Sequence, residues 1–238
     1  MKLKLFASPI GVILGTVSVL TVSMTPPFIE SVVGTDDDQP PGRLVGGGTR
    51  SSNPNCRFGQ TPLMAIAPSR SIGLTAQASP RLYFYLPAME TTQTAEFVLI
   101  DNANDTVIYE ETLKIGGQAG IIGVTIPSHS TQNIKTNNNY KWYFSIVCNP
   151  DDRSEDIIVE GGIRWAEIDP ALASQIHQTS PLEKVDLYLK AGLWFDAMST
   201  LAQLRSHGSA DPAVSEAWSK LLESADLGVL VQEPVITE

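Results

Sequence analysis

The sequence predicts an α+β protein, an antiparallel β-sandwich followed by a C-terminal helical hairpin and a third helix. Three observations predict it. From Thr61 to Ile168 apolar and polar residues alternate with the two-residue period of half-buried strands. Beyond Ile168-Asp169-Pro170 the apolar residues recur at helical spacing. Ser180-Pro181-Leu182-Glu183 and Asp211-Pro212 then supply helix-start signals. With 42% hydrophobic and 18% charged residues in a chain of 238, there is enough apolar material for a packed core.

Residues 1–24 read as a targeting segment. Lys2 and Lys4 precede an apolar run from Leu5 to Met24, the charged and hydrophobic regions of a signal peptide. The small residues Gly11, Gly15, Thr16, Ser18 and Thr21 favour a cleaved leader, and the alternative is an uncleaved membrane anchor. With the leader removed, no other stretch is apolar enough to span a bilayer. Residues 25–55 read as a flexible linker: Asp36-Asp37-Asp38, Pro40-Pro41-Gly42 and Gly46-Gly47-Gly48 carry no apolar period. The glycine triplet lacks the Lys and the strand–helix context of a phosphate-binding loop.

Residues 56–168 form the predicted β domain. Strands are expected at Pro62–Ala67, Arg81–Leu86, Ala95–Asp101, Val107–Ile115, Ile121–Ile126, Tyr140–Cys148 and Ile157–Ile168. Asp101-Asn102-Ala103-Asn104-Asp105 supplies turn chemistry between the third and fourth. The sixth is the most regular: Trp142, Phe144, Ile146 and Cys148 share one face, Tyr143, Ser145 and Val147 the other. Gly161-Gly162 in the last strand marks a bulge or the close approach of a neighbour. An immunoglobulin-like sandwich is one arrangement that fits, although its Cys…Trp…Cys signature is absent. Cys56 and Cys148 are the only cysteines. In an oxidising compartment they are expected to pair, for about 2–4 kcal/mol; the alternative is two separate structural thiols.

Residues 169–228 form the helical tail. Asp169 caps a helix with Pro170 in its first position. Ser180 and Glu183 make a capping box for a helix that Gly192 ends. Trp194–Ser206 is its partner, and a third helix follows Asp211-Pro212 with Val214, Trp218, Leu221 and Leu222 on its apolar face. Residues 229–238 read as an irregular C-terminus. Tyr188, Gly192, Trp194, Ala197, Leu201 and Leu204 are similar in spacing to one tetratricopeptide unit. One such unit cannot bury a continuous core alone, so it must lean on the β domain or on a partner.

Several separated blocks resemble a family of exported cyanobacterial proteins, domain-of-unknown-function family 928. They are Pro41-Gly42-Arg43, Gly46-Gly47-Gly48-Thr49-Arg50 with Cys56, Trp142 and Cys148, Glu160-Gly161-Gly162 with Arg164, and Gly192-Leu193-Trp194-Phe195-Asp196-Ala197 through Leu204-Arg205. The resemblance spans roughly residues 41–228. It implies export and an unassigned role, and it transfers no catalytic residues.

The residues exclude several chemistries. A net charge of −10 without a basic stripe argues against nucleic-acid binding. There is no G-x-S-x-G, no H-E-x-x-H and no paired-Cys metal ribbon. His129, His177 and His207 fall in loop or helix-end positions that need no catalytic role. The acidic loop Asn149–Asp156 offers oxygen ligands for Ca²⁺, but Arg153 sits among them and the turn glycine is missing, so a solvated hairpin loop is the better reading.

The expectation is a non-enzymatic, periplasmic or secreted interaction or scaffold module, without a cofactor, whose partner is an unknown protein or envelope polymer. Trp194, Phe195 and Trp218 are its expected contact surface, because unburied aromatics at helical spacing would form an apolar patch. The alternative is a polysaccharide-binding sandwich that stacks sugars on Tyr83, Tyr85, Tyr109 or Tyr143; an unrecognised hydrolase comes third.

Overall fold

The computed structural model describes residues 42–46, 56, 61–206 and 211–236. The targeting segment, most of the linker and His207 lie outside these residues. Among those described, eight strands precede four helices. The strands are β1 (Met64–Ile66), β2 (Gly73–Thr75), β3 (Arg81–Leu86), β4 (Met89–Asp101), β5 (Thr106–Gly117), β6 (Gly120–Thr125), β7 (Asn139–Val147) and β8 (Ile157–Trp165). The helices are α1 (Pro170–Gln178), α2 (Pro181–Lys190), α3 (Trp194–Ser206) and α4 (Pro212–Ser224). No helix among the described residues is long and apolar enough to cross a membrane.

The strands form two sheets, a smaller one of order β1-β3-β6 and a larger one of order β2-β8-β7-β4-β5. Alternation decides which side chains face between them. Trp142, Phe144 and Ile146 of β7 and Phe97 and Leu99 of β4 are all buried on one face of the larger sheet. Phe84 of β3 meets them from the smaller sheet, stacked on Phe144 with centroids 4.3 Å apart and edge-on to Trp142 at 5.6 Å. These inter-sheet aromatic contacts establish the sandwich. Gly161 of β8 carries no bulge; a Cβ there would sit inside the Trp142 indole, so the position needs glycine for close approach.

Three features depart from the sequence reading. First, β2 was not expected. It is three residues long and pairs in parallel with β8, so the larger sheet is mixed, unlike the antiparallel sheets of an immunoglobulin domain. Secondly, Gly42–Gly46 is not free linker. Leu44 O accepts from Ala65 N–H, Gly46 N–H donates to Leu63 O, and Arg43 O accepts from Glu160 N–H of β8. Thirdly, the C-terminus is not irregular throughout. Ile121 N–H donates to Pro234 O and Ile236 N–H to Ile121 O, so residues 234–236 line the free edge of β6 in parallel.

The helix starts follow the capping chemistry. The Asp169 carboxylate accepts from Ala171 N–H at 2.7 Å, and Asp211 accepts from Ala213 N–H at 2.8 Å. Glu183 reaches back to the Ser180 backbone N–H and hydroxyl. Gly192, at φ +73°, makes the turn from α2 into α3. The buried residues of sheets and helices form one hydrophobic cluster, and Asp38–Glu238 is one compact unit. The seam near Ile168 therefore joins layers of one core.

Cys56 and Cys148 are bonded, with Cα atoms 5.6 Å apart, and both are buried. The bond spans 92 residues and fixes the chain ahead of β1 to the end of β7. A loop of that length corresponds to about 4–5 kcal/mol in the chain-entropy account. Replacing both cysteines by Ser is expected to lower unfolding free energy by about 2–5 kcal/mol. Urea unfolding of the native chain and the double variant measures it; equal midpoints would show that the bond adds no stability.

Candidate functional site

The residues expected to form an open aromatic patch are instead consumed by the seam between helices and sheets. Trp194 is 9% exposed, Phe195 1% and Trp218 0%. Phe195 packs against Gly73 of β2, where a Cβ would run into its ring, and Trp194 meets it edge-on at 5.6 Å. Trp218 donates its indole N–H to Val231 O at 3.2 Å, and the Arg205 guanidinium lies over its ring at 5.2 Å. It anchors the segment that goes on to line β6. The expected Trp194/Phe195/Trp218 contact surface is therefore corrected. Helical spacing marks an apolar face without saying what covers it, and here the core covers it.

A buried carboxylate completes the same seam. Asp196, 2% exposed in the first turn of α3, accepts from Ala76 N–H at 3.0 Å and from the Thr75 hydroxyl at 3.4 Å. Thr75 in turn accepts from Gln77 N–H, and Gln77 O accepts from the Trp165 indole. The end of β2 is thus tied to α3 on one side and to β8 on the other. Burial pushes the Asp196 carboxyl up from 3.8 to about 6, against the opposing pull of the hydrogen bonds from Ala76, Gln77 and Thr75. Burial, then the neighbouring Asp196, also raises the Tyr188 hydroxyl.

The tyrosines do not make a stacking platform. Tyr83 and Tyr85 are each 3% exposed. Tyr109 and Tyr143 are half-buried on opposite faces of the larger sheet. Tyr109 donates its hydroxyl to Glu111 at 2.9 Å, and burial followed by that carboxylate pushes it up to about 12. The acidic loop is closed by its own residues and by Glu96 of β4. Arg153 pairs with Glu96 and Asp156, each at 2.6 Å, while Asp152 accepts from Ser154 N–H and hydroxyl. No cluster among the described residues has the donors to hold a metal ion. His129 and His177 are exposed.

What the helical layer leaves open is a groove of about 350 Å³ between α2 and α4. α3 packs against both helices and against β2 and β3, so α2 and α4 flank it. Val185 and Leu221 lie buried in the groove, 1% and 2% exposed, and Leu189 is 39% exposed at its rim. Asp186, Glu216 and Lys220 add the charges, with Lys220 paired to Glu216. Leu221 was legible as part of an apolar helix face, but the groove that α2 and α4 form beside α3 was not.

The family model described as Domain of Unknown Function (DUF928) matches residues 45–235. The chain belongs to the DUF928 family. The match begins at Val45, within the segment that pairs with β1, and ends at Val235, within the segment that lines β6. The match thus covers the sheets and helices and reaches into both edge-covering segments. A comparison with curated proteins returns no match.

Asp196 makes stability depend on pH. The unfolded carboxyl ionises near 3.8 and the folded one near 6. Between those values the folded state holds an extra proton, so this contribution is full below pH 3.8 and is lost as pH rises through 6. The size is about 3 kcal/mol. Asp196→Asn keeps an accepting oxygen and is expected to flatten that part of the profile. Urea unfolding of both proteins from pH 4 to 7 tests it, and parallel profiles would refute the assignment.

Proposed function

We propose that this DUF928 protein is an exported, non-enzymatic binding or scaffold module whose contact surface is the α2/α4 groove. The groove carries the reading: apolar side chains line it, Leu189 stays exposed at its rim, and its ion pair lies at the edge. Such a surface suits an apolar side chain of a partner, with charged residues selecting its flanks. The buried Cys56–Cys148 bond supports an oxidising compartment, where disulfides persist. The rigid seam beneath supports a scaffold role, because α3 is held to the sheets while α2 and α4 face outward.

Leu189→Glu and Ala217→Glu place charge in the groove at partly exposed positions, where stability is expected to change by less than about 1 kcal/mol. Each is expected to weaken partner capture at least about tenfold. The experiment is affinity capture from envelope extracts with the full chain and with each variant, alongside Val229→Glu as a surface control outside the groove. Selective loss with the groove variants supports the reading. Equal capture by all four proteins would overturn it.

A further inference from the structure

The fold covers three of its four sheet edges with its own chain. Gly42–Gly46 lies along β1, residues 234–236 lie along β6, and α3 packs against β2. The fourth edge, β5, is a strand of 12 residues, and among the described residues its outer side has no backbone partner. Uncovered edges of that length pair with other strands unless something prevents it. Val107 is 50% exposed on this strand, and Tyr109 and Leu113 are only half-buried.

The geometry of β5 selects a partner. Its register with β4 shifts twice, between Leu99 and Ile100 and between Met89 and Gln93. Between these irregularities the ladder is regular from Tyr109 to Ile115, and its centre is Thr112. An antiparallel copy paired about Thr112 sets Glu110 opposite Lys114 twice, by symmetry, on the outer face. On the inner face it sets Tyr109 opposite Ile115 and Glu111 opposite Leu113. Opposite charges and an aromatic facing a β-branched residue are favourable cross-strand pairs. Registers centred on Glu110, Glu111 or Lys114 would put like charges face to face. The charge pattern is therefore self-complementary in one register, the one that the two irregularities frame.

We propose that the protein forms a two-fold dimer through β5, a second copy pairing antiparallel about Thr112 to continue the larger sheet across both subunits. The interface is isologous, as two-fold symmetry requires. It is independent of the α2/α4 groove, which lies in the helical layer.

Sedimentation of the purified full chain over a range of concentrations, together with charge exchange, tests this. Glu110→Lys and Lys114→Glu each create two like-charge contacts, and loss of the dimer is expected for each alone. Mixing those two variants makes every contact opposite in charge again, and so does combining both substitutions in one chain; in both cases the dimer is expected to return. Thr112→Cys, on the symmetry axis, is expected to cross-link to its own copy under mild oxidation, while Val107→Cys is not. A native chain monomeric at every concentration, or a dimer indifferent to charge exchange, overturns the proposal. Failure of the groove variants to lose partners would leave these measurements unaffected.

Discussion

The contact between the Asp196 carboxylate and the end of β2 is the constraint on which the helical layer depends. A carboxyl almost without solvent is costly to ionise, and its hydrogen bonds from Ala76 and Thr75 only partly offset that cost. An apolar residue in its place would bury surface without specifying where α3 sits. The carboxylate has directional partners, all within three residues at the end of β2, so it fixes both the position and the rotation of the helix. Phe195, the next residue back, then falls onto Gly73, where only a glycine leaves room for its ring. A short strand with little pairing of its own thereby becomes the site where two layers lock.

The aromatic content of the helices follows from that arrangement. α3 is wedged between the sheets and its helical neighbours, so both its sides need apolar cover. Trp194, Phe195, Met198 and Leu201 provide it and are spent on packing. Trp218 does the same for α4 and adds a polar handle that holds Val231. The open surface lies instead between α2 and α4, the two helices that flank α3. The residues there are smaller and less conspicuous, and the proposed contact surface is accordingly built from Leu189 and Ala217 in place of tryptophan.

The parts of the fold legible in the sequence are those with a local cause. Alternation in β7 gives its buried face because a strand's period is two whatever surrounds it. Asp169, Ser180 and Asp211 mark helix starts because capping involves only neighbouring residues. The cysteines were legible as a candidate pair because they are the only two in the chain, with separate thiols as the alternative, and the structure decides for the bond. What could not be read is non-local. Gly73-Leu74-Thr75 is too short for any period, and it is a strand only because β8 and α3 are beside it. Gly42–Gly46 and residues 234–236 look like loop, since nothing in their own composition announces that an exposed sheet edge awaits them. The exposure of Trp194 and Trp218 was illegible for the same reason: an apolar helical face reads identically whether a core or a partner covers it.

The order of the larger sheet gives these surfaces a spatial logic. β2, which holds the helices, is one edge, and β5 is the opposite edge, with β8, β7 and β4 between them. Joining two copies at β5 places both helical layers at the outer ends of a continuous sheet, away from the joint. Each groove then stays open, and the pair is presented by one rigid body. On the proposed reading, two linked grooves would meet a partner that offers two matching sites with an effective concentration set by their spacing, so modest contact in each would suffice for tight overall binding. A groove of about 350 Å³ is small for a partner surface, so the proposed binding role gains most where two copies are held together.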